Sequence, residues 1–400
     1  MKKILVVTGG RADWTPLLSV VRAIDGAKNL SLSLIATGLH LLPCFGLTFT
    51  QIKEEFGNVC EVSFYKGNEP LFSSFSKGVS SLGDAFCRIK PDIILILGDR
   101  IEAFAAAVAA FFLQIPIAHI HGGERTTSGH IDESMRHSIS RLANIHFVAT
   151  EGSRERLIRM GEEEWRIHKV GAPALDLILS TPDISCSSKK YKVLAEPEQK
   201  RKFLYDQKSE ERIFSETGLK KNEDFLIFCY HPVSVEKERS YEQAIEALSA
   251  IKELGIQTII LFPNADPGYE GIIKAIDEFS NEFIVKKNLS PSFYFGLLRR
   301  ASALVGNSSS GIIEAPFFGL PSVNIGSRNK DREHCENVIF AECRKDEIQS
   351  AIREATSPAF KERAKGCKNI YGDGKASERI VKVLEEIELN TRLLTKQVTY

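Results

Sequence analysis

DIILILG at residues 92–98 and PIAHIH at 116–121 are two apolar runs of strand length with a helical stretch between them, and this pairing decides the fold. Buried parallel strands read as continuous apolar runs because both of their faces are covered. Working outward, ILVV (4–7), LSLSLIAT (30–37) and HFVAT (146–150) repeat the pattern, alternating with amphipathic helical stretches. Such alternation implies βαβ units and a parallel sheet with helices on both faces. The pattern breaks from Ser180 to about Gly218, where SSKKYKVLAEPEQKRKFLYDQKSEER is rich in Lys, Glu, Ser and Gln and reads as a solvated or helical connector rather than core. A second series then begins: FLIFCY (225–230), QTIILF (257–262), ALVGN (303–307) and SVNIG (322–326). Two α/β halves on one chain predict a ligand-binding cleft between domains.

Chemistry concentrates just after the 116–121 run, in HIHGGERTTSGHIDESMRHSISRLANIHF (119–147). Glu124 is expected where a strand ends and a loop begins, and Asp132 where the next helix begins. Two carboxylates in unlike environments supply acid and base from one pocket near neutral pH. His119 and His121 share a strand face, and an H-x-H pair can ligate zinc, but no third ligand follows at familiar spacing, so no metal is expected. On the following helix Glu133 and His137 are four apart, as are Asp132 and Arg136, which is also the spacing of ordinary helix-face ion pairs.

Four further motifs fall at strand ends. In GGRAD (9–13) glycines let the backbone approach a phosphate and Arg11 can pair with it, although the loop is neither a dinucleotide fingerprint nor a P-loop. In LGDRIEA (97–103) Asp99 reads as a site residue, a helix cap or an ion-pair partner of nearby arginines. In GNSSSGIIEAPFFGLPSVNIG (306–326) Ser308, Ser309, Ser310 and the N–H groups near Gly311 form a second phosphate cradle. Glu314, one turn on, has two oxygens for two ribose hydroxyls, or is a buried glutamate of a capped helix. YHPVS (230–234) brings His231 to the end of the first strand of the second series.

Composition narrows the partners. Lys plus Arg equals Asp plus Glu at 52 each, so no basic field argues for nucleic acid or an anionic membrane, and a small-molecule partner is expected. No run reaches the roughly 18 apolar residues of a membrane span, and the apolar run after Lys3 is too short for a signal peptide. The eight cysteines show no C-x-x-C, which suits reduced thiols and a cytoplasmic protein.

Taken together, GGRAD, TGLHLLPCFGLT (37–48), LGDRIEA, HGGERTTSGHIDESMRHSISRLA, YHPVS, NSSSGIIEAPFFGLPSVNIGSR and YGDGKASERI resemble the hydrolysing UDP-N-acetylglucosamine 2-epimerases of bacterial sialic and legionaminic acid synthesis. The resemblance implies a GT-B fold: two Rossmann-like domains with parallel sheets facing a central cleft. It implies an N-terminal domain over 1–180, a connector over 181–218, a nucleotide-binding domain over 219–372, and a helix over 373–400 crossing back to the first domain. By the same likeness Asp99, Glu124, Asp132 and His137 fall on catalytic positions. Arg11, His231, Ser309, Ser310 and Glu314 fall on nucleotide and diphosphate positions. It further implies a UDP- or GDP-linked N-acetylhexosamine as substrate, no cofactor, and a homo-oligomer, dimer or tetramer. A non-hydrolysing 2-epimerase and a GT-B glycosyltransferase are the alternatives that use the same nucleotide cradles.

Overall fold

A computed structural model of the chain describes residues 1–43, 48–64, 70–126, 131–181, 207–263, 266–287 and 289–399. The chain divides into two compact units: Met1–Arg125, Ile131–Leu177 and Tyr371–Tyr400 make the first, and Thr126–His130 with Ile178–Ile370 make the second. The first holds seven parallel strands, β1 (Lys2–Thr8), β2 (Leu30–Thr37), β3 (Val59–Val62), β4 (Ile93–Leu97), β5 (Ile117–Ile120), β6 (Ile145–Val148) and β7 (Ile167–Lys169), in the order β3-β2-β1-β4-β5-β6-β7. The second holds six, β8 (Phe225–Cys229), β9 (Gln257–Leu261), β10 (Ile284–Lys286), β11 (Ala303–Gly306), β12 (Ser322–Ile325) and β13 (Val338–Ala341), in the order β10-β9-β8-β11-β12-β13. Both are doubly wound sheets. The strand order reverses between β1 and β4 (Ile4 opposite Ile93) and between β8 and β11 (Cys229 opposite Gly306). Sheets of this kind bind ligands outside the carboxyl ends of their strands at that reversal.

Each sheet carries apolar clusters on both faces. In the first unit Ile4, Val6, Leu17, Val20 and Leu95 pack on one side, and Leu5, Val7, Ile94 and Ile96 pack on the other, against the helix Ile101–Phe112. That helix is IEAFAAAVAAFF, whose alanines favour the helical state and let it lie close on the strands. The chain returns to the first unit at its end: Ala376, Ile380 and Leu384 of the helix Ala376–Glu386 join the cluster around Val20. At the point of return two backbone passes touch. Ala172 N donates to Tyr371 O at 2.7 Å, and a Cβ on Gly372 would lie 3.1 Å from the Cα of Gly171.

One expectation needs correction. The last part of the polar segment, Gln207–Thr217, is a helix whose Ile213 and Phe214 pack with Phe225, Ile227 and Leu297, so it belongs to the core of the second unit. The charged residues around it are its solvent face, and one apolar pair on an amphipathic helix is enough to seat it. Residues 182–206 of the expected connector lie outside the described residues, as do the TSGH residues 127–130 between Glu124 and Asp132. Among the described residues, no helix is long and apolar enough to cross a membrane.

Candidate active site

The loop after β1 opens on Gly9 and Gly10, and Arg11 starts the helix Arg11–Asp25 with its side chain exposed. Asp13 closes this loop from within: its Oδ2 accepts from Gly9 N at 2.8 Å and from Thr8 Oγ1 at 2.7 Å. Thr8 Oγ1 in turn lies 2.9 Å from His40 Nε2, and His40 Nδ1 lies 2.5 Å from Thr48 Oγ1. Burial pushes the His40 imidazole down to about 4, so this buried chain of polar groups is uncharged at His40 near neutral pH.

Beside it, across the strand reversal, Asp99 follows β4. It forms an ion pair with Arg136, which reaches it from the helix Ile131–Leu142 and also lies 3.5 Å from Glu133. The ion pair open to Asp99 is thus present, with an arginine 37 positions away. Arg100 pairs with Glu102 instead, its Nε 3.4 Å from Oε2.

His119 sits at the middle of the sheet and is fully buried. Its Nε2 donates to Gly98 O at 2.7 Å and its Nδ1 lies 3.2 Å from Ser140 Oγ, so both nitrogens are engaged within the protein. Burial pushes it down to about 3, and it serves as a neutral tether between β4, β5 and the next helix rather than as a metal ligand. His121 then adopts φ +65° and Gly123 φ +72°. A Cβ on Gly123 would lie 2.4 Å from Ser153 O, so the turn admits only glycine there. This tight turn aims Glu124 back, and its buried carboxylate meets His121 Nδ1 in a short contact.

Asp132 lies in the first turn of Ile131–Leu142, as expected. His137 Nε2 is 3.0 Å from Glu133 Oε1, so at this residue the structure shows the helix-face pair. Arg136, buried on the same helix, was legible only as a partner for Asp132 at i+4; its long reach to Asp99 has no signature in the sequence.

The second unit presents its own cluster at its strand reversal. Asn307 follows β11 and clasps the backbone of His231: its Oδ1 accepts from His231 N at 2.6 Å and its Nδ2 donates to His231 O at 2.8 Å. Gly306, at φ +136°, allows this approach, since a Cβ there would lie 2.0 Å from Cys229 O. Burial first, then the charge of Arg328, pushes the His231 imidazole down to about 3. The ring is therefore a neutral hydrogen-bonding group near neutral pH. Arg328 and Asn329 hold the other end of the clasp, donating to Asn307 O at 3.1 and 2.7 Å.

Ser308 Oγ accepts from Ser310 N at 3.3 Å, and Ser310 Oγ lies 2.5 Å from the hydroxyl of Tyr294. Among the described residues the Ser309 hydroxyl has no such partner. The helix that follows is a single turn, Ser310–Ile313, pressed onto β12 so closely that a Cβ on Gly311 would lie 2.2 Å from Ser322 Oγ. Glu314 is half-buried at the junction of that turn with Ala315–Phe318. Asn307 and Tyr294 were not singled out from the sequence. The first stands inside the quoted GNSSSG motif, but nothing in its spacing revealed that its amide serves His231.

Two doubly wound sheets, each with polar and ionisable groups at its reversal, make this an α/β protein of the two-Rossmann class. The family model described as UDP-N-acetylglucosamine 2-epimerase matches residues 22–385, and the chain belongs to this family. It is similar over its whole length to the UDP-N,N'-diacetylbacillosamine 2-epimerase (hydrolyzing) of Legionella pneumophila, at 37% identity with 100% of each chain covered. The GDP/UDP-N,N'-diacetylbacillosamine 2-epimerase (hydrolyzing) of Campylobacter jejuni is 33% identical, covering 98% of this chain and 97% of that one. Among solved structures, the UDP-GlcNAc 2-epimerase of Neisseria meningitidis bound to UDP-GlcNAc superposes with a TM-score of 0.78 at 20% identity, covering 96% of this chain and 99% of that one. The fold is thus of the GT-B type.

Proposed function

We propose that this protein is a hydrolysing nucleotide-sugar 2-epimerase whose substrate is a UDP-linked 2,4-diacetamido-2,4,6-trideoxyhexose, with UDP-N-acetylglucosamine as the poorer substrate. The observation that carries the chemistry is the set of carboxylates at neighbouring strand ends of one sheet: Asp99 after β4, Glu124 after β5, and Asp132 at the start of the next helix. Full-length similarity to two hydrolysing diacetylbacillosamine 2-epimerases supports the substrate. The product would serve sialic or legionaminic acid synthesis, in the cytoplasm and from a homo-oligomer.

The C2 proton of a 2-acetamido sugar is not acidified by a carbonyl, so direct removal would be slow. Breaking the bond between C1 and the diphosphate oxygen first sends the electron pair out with the nucleotide diphosphate and leaves positive character at C1. That charge acidifies C2–H, and a carboxylate takes the proton, leaving the 2-acetamidoglycal. Glu124, Asp132 and Asp99 are the groups that exchange protons here. His121 orients the Glu124 carboxylate, Arg136 orients Asp99, and His137 is placed beside Glu133 on the same catalytic helix. Charge on the leaving diphosphate is met by Arg11, His231, Ser308, Ser309, Ser310 and the backbone near Gly311, while Glu314 receives the ribose hydroxyls. A second carboxyl then returns a proton to the opposite face of C2, and water adds its hydroxyl to C1. The sum is substrate plus water giving the free manno-configured sugar plus nucleotide diphosphate, with no cofactor required.

In deuterated water the released sugar should carry one deuterium at C2, and in oxygen-18 water the label should enter at C1 and be absent from the diphosphate. Glu124→Gln and Asp132→Asn should each lower the rate at least about a hundredfold, the low end for general acid/base groups. NMR of the products on UDP- and GDP-linked sugars reads all of this. Retention of the C2 proton would refute elimination, and consumption only with an added acceptor would favour a glycosyltransferase.

A further inference from the structure

LGDRIEA contains a second carboxylate, three residues after Asp99, that the reaction above leaves without a task. Glu102 stands in the first turn of Ile101–Phe112, with its side chain only 4% exposed. It is wedged between two glycines from different loops. A Cβ on Gly9 would lie 2.5 Å from its Cγ, and one on Gly38, at φ +57°, would lie 2.4 Å from its Oε1. Neither position tolerates a side chain while Glu102 is in place, so the phosphate-side loop after β1 and the turn after β2 are both built around this carboxyl. A buried carboxylate without a cation is costly, and the cation recorded for it is Arg100, 3.4 Å away.

The charged groups that act on it are Arg100, from its own helix start, and Asp13, from Arg11–Asp25. Asp13, Arg100 and Arg11 also act on His40 in the turn Gly38–Leu41. Burial pushes the Glu102 carboxyl up, Arg100 opposes that, and Asp13 adds to it. Asp99, next to Arg100 in sequence, faces Arg136, which Glu133 shares. The segment thus sorts two carboxylates and two arginines into two pairs.

We infer that Glu102 is a positioning residue for the reaction: from its place between the Gly9 and Gly38 loops it holds Arg100 and leaves Asp99 to its pair with Arg136. This rests on the reading that Asp99 exchanges protons with the substrate. Removing the Glu102 charge leaves the positive charge of Arg100 less balanced beside the site carboxylates, which favours their ionised form. Removing Arg100 leaves an extra anion beside them, which disfavours it. At separations of several ångströms and an effective dielectric near 20, such a charge moves a titration by about one pH unit.

The test is the pH profile of kcat/KM for diphosphate release from a UDP-linked diacetamido sugar, measured on the full chain. In Glu102→Gln the acid limb should move down by about one pH unit, with kcat near pH 7.5 reduced about tenfold and KM within about threefold of the wild type. In Arg100→Met the limb should move up by a similar amount, and in the double variant it should return close to the wild-type position. Glu102→Asp, which keeps the charge, should leave the limb in place. A merely structural role predicts no opposite shifts. An unmoved limb in a folded Glu102→Gln, or shifts of the same sign in both single variants, overturns the inference. Should circular dichroism show Glu102→Gln unfolded, Arg100→Met decides, and absence of the upward shift is fatal. A wild-type chain that releases no diphosphate from any nucleotide sugar overturns the reaction and this inference together, whereas an active wild type with unmoved limbs overturns the inference alone.

Discussion

Glu314 shows what a single residue at a helix junction can do. The serine turn before it is internally hydrogen-bonded, and Glu314 is half-buried where the turn passes into Ala315–Phe318. Replacing it by alanine removes hydrogen bonds to a charged acceptor, so free UDP should bind about 1.5 to 3 kcal/mol more weakly and KM should rise. Calorimetry that finds the affinity of Glu314→Ala unchanged would remove this residue from the ribose site. At this scale the sequence was informative about which residues lie at strand ends and poor about who pairs with whom. Glu124, Asp132, Asp99, Ser309 and His231 could be placed because strand-end position is a local property. The Arg136 pair with Asp99, the Asn307 clasp on His231 and the wedging of Glu102 are contacts between distant segments, and local periodicity carries no trace of them.

Among the elements, the helix Ile131–Leu142 is held at two places by different means. At its middle Arg136 ties it to Asp99, and at its finish the segment around Lys396 closes it. Lys396 Nζ donates to the carbonyls of Ser140, Arg141 and Ala143 at 3.2, 2.9 and 2.6 Å, and pairs with the buried Glu162 at 2.7 Å. A lysine over the exposed carbonyls of a helix end complements its dipole. Beside it Arg166, fully buried, donates to the carbonyls of Asn144, Arg392, Leu393 and Thr395 at 3.2, 2.8, 2.7 and 2.9 Å. These acceptors lose their donor in Arg166→Met, so we expect a loss of about 3 kcal/mol or more in urea unfolding. Truncation after Asn390 should cost at least as much and should lower kcat as well, because the helix that carries Asp132 loses its C-terminal closure. A truncated chain with the wild-type urea midpoint would show that the tail is a passenger. The resemblance implies that 373–400 cross back to the first domain, but the contacts made with Arg166 and by Lys396 have no signature in TRLLTKQVT, which is short and mixed in character.

For the whole molecule, the strands the sequence missed are instructive. The quoted runs at 4–7, 30–37, 92–98, 116–121, 146–150, 225–230, 257–262, 303–307 and 322–326 all coincide with strands, and β3, β7, β10 and β13 were not seen. Those four are the edges of the two sheets. An edge strand is covered by one neighbour only and is more exposed, so VCEV, IHK and IVK carry no sustained apolar run; VIFA is as apolar as ILVV, and composition does not explain why it was passed over. Interior strands announce themselves because both sides are buried, and the same burial governs the response of the molecule to acid. Five histidines, His40, His119, His146, His168 and His231, are pushed down by burial, three of them to about 4, 3 and 3 for His40, His119 and His231. In the unfolded chain each titrates near 6.5. Between that value and the folded one the unfolded state binds more protons, so stability is lost as pH falls below about 6.5. Each of the three should cost about 2 kcal/mol by pH 5, on the order of half or more of the stability of an ordinary domain when summed. Glu102 and Asp176, whose carboxyls burial pushes up, act in the opposite sense as pH falls toward about 4.5, but they are outnumbered. Lys396, pushed down to about 8 chiefly by burial, acts in the same sense on the alkaline side, but the thiols of Cys229, Cys343 and Cys367, pushed up to about 11 by burial, act against it there. The urea midpoint should therefore rise from pH 5 to 7. A midpoint that is flat or falling between pH 5 and 7 would mean that these imidazoles keep their protons in the folded protein, and the neutral roles assigned to His40, His119 and His231 would have to be abandoned.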